Sequence, residues 1–367
     1  MLLIDNKVVE QVLGMRECIE AQETAFAELL TGGAIGRPRI DMYVPCERDD
    51  GYYRWGSVEG TSGGILAVRL KSDILVWPKL ADGKTGSEQK YCMEPGQYCG
   101  LVFLFSTGNG EPLALMNDGH LQHMRVGGAA GIGTRLLARK DAKELCIIGS
   151  GGMAHTFFDA ITAVRDIRRV RVYSRTKANA EHFAKAMAQK SGIEVVVFDT
   201  AREAMKGADI VAACTNSTSP VFEAEWLEPG QHVVVVAPRE LSPEIVARFD
   251  VKIQQGREVL PMPETERFRK GISGSPGAYV AGTLEEQQRL PKAKHARIQT
   301  EDWPIYTDVL SGQAQGRTSD EQITFYYTVG NWGVQFSSVG GLVYRKAKEQ
   351  GLGMQLPLEW FMQDIRN

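Results

Sequence analysis

The sequence predicts an α/β protein in which a Rossmann-type doubly wound domain is joined to an α+β domain, and three observations carry this. The apolar run Leu145–Ile148 stops at the turn Gly149-Ser150-Gly151-Gly152-Met153-Ala154, and a helical pattern follows with Phe157, Phe158, Ile161 and Val164 on one face. The middle third alternates Val- and Ile-rich runs with helical stretches, the pattern of a parallel sheet covered on both faces. Residues 1–125 instead hold short β-prone segments separated by Gly and Pro, the pattern of an antiparallel sheet.

The parallel sheet is expected to use Leu145–Ile148, Val170–Tyr173, Val195–Phe198, Ile210–Cys214, His232–Val236 and Val251–Ile253. A helix with Ala180, Phe183, Ala184 and Met187 at i, i+3, i+4 and i+7 lies between the second and third strands. A shorter one with Ala201 and Met205 precedes the fourth. The domain runs over residues 127–313. In the N-terminal part, Val8–Leu30 reads as one helix. The β-prone segments are Ile40–Val44, Ile65–Leu70, Ile74–Trp77, Leu101–Phe105 and Pro112–Met116. The aromatic segment from Tyr52 to Gly60 reads as an exposed hairpin or as pocket lining, and Lys90-Tyr91-Cys92 shares that ambiguity. Residues 318–351 read as one or two helices, started by Ser319-Asp320-Glu321 and stopped by Gly351.

A chain of 367 residues is long enough for two domains. A net charge of −3 gives no electrostatic footprint for nucleic acid or an anionic membrane. The six cysteines form no CxxC pair, which argues against a zinc site or a disulfide scaffold. No apolar leader opens the chain and no apolar run is long enough to span a bilayer, so a cytoplasmic enzyme is expected.

The glycine turn supplies the chemistry. Gly149 permits the tight turn, Gly151 lets the backbone approach a pyrophosphate, and Ala154 keeps the helix close to the strand. Ser150, Gly152 and Met153 complete a helix N-terminus that offers N–H groups and partial positive charge to phosphates. About twenty residues further on, NAD enzymes usually place a carboxylate on the ribose. Here the second strand ends in Tyr173-Ser174-Arg175-Thr176-Lys177. A hydroxyl followed by a guanidinium suits a 2′-phosphate, so NADP(H) is favoured and NAD(H) stays open. Thr215-Asn216-Ser217 and Ala237-Pro238 follow the fourth and fifth strands, at the sheet edge where such folds bind ligands. Thr215–Ser217 fits a turn built on Asn and Ser equally well.

The GSGGMA turn and the segments 172–181, 207–211, 226–233 and 316–324 resemble the ornithine cyclodeaminase/μ-crystallin family, from about Arg37 to the C-terminus. The resemblance implies that residues 1–126 and 314–367 form a substrate-binding and dimerisation domain, and that the protein is a homodimer. It implies a small imino- or amino-acid substrate, with neither nucleic acid nor membrane as partner. Thr328-Val329-Gly330 resembles the segment that approaches the nicotinamide, which adds Gly330 to the cofactor residues. The Ser-Arg-Thr-Lys segment looks like the NADPH-using branch.

For the substrate carboxylate, Arg is the natural bidentate partner. Arg39 and Arg125 match the family's substrate arginines, and Val68–Asp73 covers its substrate Lys. Arg69 and Lys71 share a strand face, so either satisfies that role. Lys71 and Arg125 are the candidate catalytic residues, and His120 and His123 lie nearby as proton relays or structural hydrogen bonders. After His232–Val236 the chain departs from the family. Ala237-Pro238 leads straight into Arg239-Glu240-Leu241, without the longer loop that carries the cyclodeaminases' Asp. Glu240 is the nearest carboxylate, but it aligns with the next segment.

The expected activity is therefore an NAD(P)-dependent oxidoreductase acting on an imino or amino acid, of the imine or ketimine reductase or amino-acid dehydrogenase type. A cyclodeaminase-type lyase releasing ammonia, and a non-enzymatic NADPH-binding protein of the μ-crystallin type, are the rival readings.

Overall fold

A computed structural model describes residues 1–78, 88–257, 265, 267–270, 272, 275–290 and 298–366. Seven parallel strands form one sheet in the order Glu194–Val197, Arg169–Tyr173, Glu144–Ile148, Ile210–Ala213, His232–Val235, Thr324–Tyr327 and Val251–Gln254. The chain thus steps outwards from Glu144–Ile148 in one direction, then returns and continues on the other side. That reversal is the switch point at which doubly wound sheets bind ligands. Both faces are packed. Gly119–Leu137, Gly152–Val164 and Lys177–Ser191 are the principal helices, and Val170, Val172, Phe157, Phe158, Ile161 and Phe183 form one core layer.

The second sheet is large and mixed. Its main path runs Phe268–Lys270, Gly277–Val280, Ile40–Val44, Gly51–Ser62, Ile65–Val76, Cys99–Ser106, Pro112–Asn117, Leu2–Ile4, Met354–Gln355. The long helix Trp332–Glu349 covers one face through Phe336, Val339 and Val343. No helix among the described residues is long and apolar enough to cross a membrane.

Several elements differ from the sequence reading, each for a physical reason. The predicted helix Val8–Leu30 is two helices, Asn6–Val12 and Met15–Thr31. Leu13 and Gly14 are extended between them, and Gly14 caps the second helix. Ile65–Leu70 and Ile74–Val76 are parts of one strand, Ile65–Val76, which Trp77 follows, and the segment from Tyr52 to Gly60 lies within its full-length antiparallel neighbour Gly51–Ser62 rather than in an exposed hairpin. The predicted helix start at Ser319-Asp320-Glu321 is a turn. There the Gln322 side chain accepts from the Thr318 and Ser319 amides, at 2.8 and 3.1 Å. Arg317 fixes the same turn by donating to the carbonyls of Leu137 and Gln322. The next residues, Thr324–Tyr327, form a fully buried strand, and the helix begins only at Trp332.

Sheet membership also cuts across the expected bounds of 127–313 against 1–126 and 314–367. Gly277–Val280 pairs in parallel with Ile40–Val44 in the mixed sheet, whereas Thr324–Tyr327 lies inside the parallel sheet. The helix Gly119–Leu137 crosses the boundary at 126/127.

Candidate active site

The glycine turn lies at the carboxyl end of Glu144–Ile148. Gly149 has φ +108°, a left-handed conformation that favours glycine, and its amide donates to the Tyr173 carbonyl at 2.8 Å. A Cβ at Gly151 would meet nothing within 4 Å, so this side of the backbone is open to an approaching group. No side chain caps the helix Gly152–Val164 among the described residues, and Ala154 is fully buried against the sheet. Helix, strand and turn therefore stand as a pyrophosphate cradle requires. A Cβ on Gly152 would come within 2.9 Å of His123 Cε1, so His123 seats the turn from the substrate side. Burial and the adjacent His120 hold the His123 imidazole below the ordinary histidine range. His120 itself turns towards Glu10, at 3.8 Å.

The loops after the fourth and fifth parallel strands are clasped by one carboxylate that the sequence reading set aside. Glu240 is fully buried. Its Oε1 accepts from both the amide and the hydroxyl of Thr215, each at 2.7 Å, and its Oε2 accepts from the Ala237 amide at 2.9 Å. Thr215 Oγ1 in turn accepts from the Ser217 amide at 3.2 Å, while Asn216 is exposed. Pro238 opens the short turn that brings Glu240 back. Gly330 has φ +99° and lies against the Gly256 backbone, leaving no room for a side chain. Ser174 is half-buried and Arg175 exposed, and Arg175 makes no ion pair among the described residues. Thr176 starts the helix Lys177–Ser191, and Lys177 is held by Asp199 at 2.7 Å.

The inner face of the mixed sheet is charged. On Ile65–Val76 the residues Arg69, Lys71 and Asp73 alternate inwards and are all buried. Lys71 Nζ lies 3.3 Å from Asp41 Oδ2, and Arg39 Nε lies 3.2 Å from Asp41 Oδ1. Ser275 also donates to Asp41. Burial alone would raise the Asp41 carboxyl, but Arg39, Lys71 and Ser275 together bring it to about 2. The Lys71 ammonium is held well below the ordinary lysine range by burial and then by the Arg39 and Arg54 charges. Gly56 makes this pair possible, since a Cβ there would lie 2.0 Å from Asp41 Oδ1.

Beside it, Arg69 Nε donates to Asp118 Oδ2 at 2.6 Å, and Tyr98 donates to Asp118 Oδ1 at 3.1 Å. Arg54 forms a bidentate pair with Asp73. Arg125 is different, for its guanidinium donates to Gln122 Oε1 at 2.8 Å and Gln335 Oε1 at 2.9 Å and pairs with no carboxylate among the described residues. Burial and then the Arg69 charge bring it down to about 9.

The helix Trp332–Glu349 supplies aromatic faces to these cations. Arg39 lies 5.1 Å from the Trp332 ring, and Arg69 and Arg125 lie 5.6 and 4.9 Å from Phe336. The four predicted substrate residues, Arg39, Arg69, Lys71 and Arg125, are thus neighbours on one wall. Sequence reasoning missed Asp41, Asp118, Gln122 and Gln335, which set their charge and aim. A signal was present for Asp41, since it follows Arg39 by two residues at the start of the strand Ile40–Val44, a spacing that puts extended residues on one face.

The Ornithine cyclodeaminase/mu-crystallin family model matches residues 87–351. A Delta(1)-pyrroline-2-carboxylate reductase of Bacillus cereus is 33% identical over 361 residues, 97% of this chain and 99% of that protein. Among solved structures, the Thermococcus litoralis Delta(1)-pyrroline-2-carboxylate reductase in complex with NADH and L-proline superposes with a TM-score of 0.73 at 26% identity, covering 97% of this chain and 100% of that one. An archaeal alanine dehydrogenase dimer with bound NAD shares the fold, with a TM-score of 0.70 at 24% identity over 97% of this chain and 99% of that one.

Proposed function

Since the chain belongs to the ornithine cyclodeaminase/μ-crystallin family, we propose that it is an NAD(P)H-dependent reductase of α-imino acids, running in reverse as an amino-acid dehydrogenase. The observation that carries this reading is Arg125, a buried guanidinium aimed by two amides and left without a carboxylate of its own. It lies two residues from His123, whose ring meets Gly152 of the glycine turn. The glycine turn would hold the nucleotide, whose reduced nicotinamide would supply the hydride for the imine carbon. The chain's own groups do the rest. Arg125 and Arg39 hold the substrate carboxylate, Gln122 and Gln335 fix the guanidinium, and Lys71 delivers the proton that the imine nitrogen takes up as it becomes an amine. Arg69, closed on Asp118, frames the site. The Glu240 clasp keeps Thr215–Ser217 and Ala237-Pro238 in place beside the cofactor. The short loop before Glu240, which lacks the cyclodeaminases' Asp, favours net reduction over ammonia release by ring closure.

Lys71 must be protonated to act as the acid. The rate of imine reduction is therefore expected to fall as pH rises through its pKa, which burial and the flanking arginines hold well below 10.5. A pH profile of kcat/KM checks this. Lys71→Met should remove that basic limb along with most of the rate, whereas an unchanged limb would exclude Lys71 as the acid.

For the cofactor, the reading favours NADP(H) on the strength of Ser174 and the exposed Arg175. In titrations followed by nicotinamide fluorescence, Arg175→Asp should weaken NADPH at least tenfold more than NADH. Equal losses would remove the case for a 2′-phosphate site. Screening cyclic and linear α-imino acids against the tighter nucleotide tests the activity itself. Binding of neither nucleotide below millimolar concentration would overturn it.

We also read the protein as a cytoplasmic homodimer. Supporting the dimer, the outer face of the mixed sheet carries Val68, Leu70, Leu101, Phe103 and Phe105, all half-buried and adjacent in register. The Phe103 and Phe105 rings stack with centroids 6.4 Å apart. A continuous apolar sheet face of this kind is covered in stable proteins. Phe103→Asp should convert a dimer to monomer in light scattering, and an unchanged mass would place the interface elsewhere.

A further inference from the structure

Most charges on the substrate wall close on one another. Arg54 is matched by Asp73 and Arg69 by Asp118, both pairs buried. Glu88 is met from across the cleft by Arg239 at 3.7 Å, and Trp77 Nε1 also donates to it, at 3.4 Å. Arg39 and Lys71 share Asp41. Two cations of this wall have no carboxylate partner among the described residues: Arg125 donates to amide oxygens and lies over the Phe336 ring, and Lys90 lies over the Tyr98 ring with its ammonium 4.5 Å from the centroid. Tyr98 joins the two places. Its ring carries Lys90, while its hydroxyl donates to the Asp118 carboxylate that holds Arg69, the cation beside Arg125.

Lys90 is exposed, yet protein crowds it. Surrounding atoms and then the Arg54 charge push its ammonium below the ordinary lysine range. Asp73 and Glu88 pull the other way without pairing with it. The Tyr98 ring under its ammonium, with the Tyr98 hydroxyl on the Asp118 that holds Arg69, places Lys90 beside the substrate wall. A cation that is partly desolvated and unpaired gains most from an incoming anion. One substrate carboxylate, the one next to the reacting carbon, satisfies Arg125 and leaves Lys90 unmatched.

We propose that the substrate is an α-imino dicarboxylate and that Lys90 receives its second carboxylate, the one remote from the reacting carbon. The inference rests on the imino-acid reading above and narrows it. Lys90 is then a specificity-determining residue.

The test compares imines formed in ammonia from pyruvate, with one carboxylate, and from oxaloacetate or 2-oxoglutarate, with two, by following oxidation of the reduced nicotinamide nucleotide. The wild-type protein should prefer a two-carboxylate imine at least tenfold in kcat/KM. Lys90→Met should cut that preference about tenfold, through KM for the two-carboxylate substrate, the scale of one lost charge-assisted contact. Lys90→Arg should restore it. Because the preference is a ratio measured on one preparation, partial misfolding does not alter it. Equal or better turnover of the one-carboxylate imine by the wild type overturns the proposal. So does a Lys90→Met loss shared by both imines, or one confined to KM for the nucleotide, which would assign Lys90 to the cofactor. Turnover of neither imine while a cyclic one-carboxylate imine, Δ1-pyrroline-2-carboxylate, is reduced overturns the narrowing alone, and turnover of no cyclic or linear imine, with nucleotide still bound, overturns the imino-acid reading as well.

Discussion

Arg125→Met is expected to lower kcat/KM for the imino acid by about 10³-fold, mostly through KM. Removing the cationic partner of a buried carboxylate costs about 2–5 kcal/mol, and each 1.4 kcal/mol is a factor of ten. Here the larger end applies, because Arg125 is buried and already oriented. Gln122 and Gln335 hold it from two sides, and Gln335 is itself fixed by donating to Gln22 at 2.6 Å. Arg125→Lys should rescue little of the loss, since an ammonium cannot present two parallel N–H groups. Nucleotide titration by fluorescence separates this from unfolding, because the glycine turn and its loops do not depend on Arg125. A variant that keeps kcat/KM within tenfold of the wild type would remove Arg125 from the substrate site.

Gly333→Ala should destabilise the protein by more than about 3 kcal/mol, although alanine is the better helix former by about 1 kcal/mol. A Cβ at Gly333 would lie 1.9 Å from the Glu59 carbonyl oxygen, 2.2 Å from its carbon and 2.6 Å from the Gly60 nitrogen. These are backbone atoms of a central strand, so no side chain can swing aside. Gly60 reciprocates, since a Cβ there would lie 2.3 Å from the Gly333 carbonyl carbon. The helix start would have to lift from the sheet, taking Trp332, Gln335 and Phe336 away from Arg39, Arg125 and Arg69. A fall in Tm of about 4 °C or more, measured by calorimetry, is expected together with weaker substrate binding. A Tm at or above the wild-type value would mean that helix propensity outweighs the contact.

Glu144–Ile148, Ile210–Ala213 and His232–Val235 were legible because they are buried on both faces, and Arg169–Tyr173 because one face keeps Val170 and Val172. Thr324–Tyr327 was hidden by Ser319-Asp320-Glu321, which carries helix-start chemistry but spends it on a turn. Ile65–Val76 was split for the opposite reason. Its inner face holds Arg69, Lys71 and Asp73, so a buried face reads as polar and the alternation inverts. The candidate substrate cations could be named from the resemblance, and their partners could not. Lys71 meets Asp41 across 30 residues, Arg69 meets Asp118 across 49, and Arg125 meets Gln335 across 210. No local period connects such positions. The clasp made by Glu240 was not legible because it depends on a turn of three residues folding it back beneath two neighbouring loops.

That clasp limits how the site could be remodelled. One carboxylate fixes the ends of two loops that emerge from adjacent strands, so neither loop can change length independently of the other. A graft that reinserted a longer, Asp-bearing segment between Val236 and Leu241 would have to return a carboxylate to the same buried spot, or leave the Thr215 and Ala237 amides without an acceptor. Converting this reductase scaffold to ring-closing chemistry is therefore a two-loop exchange, not a single insertion.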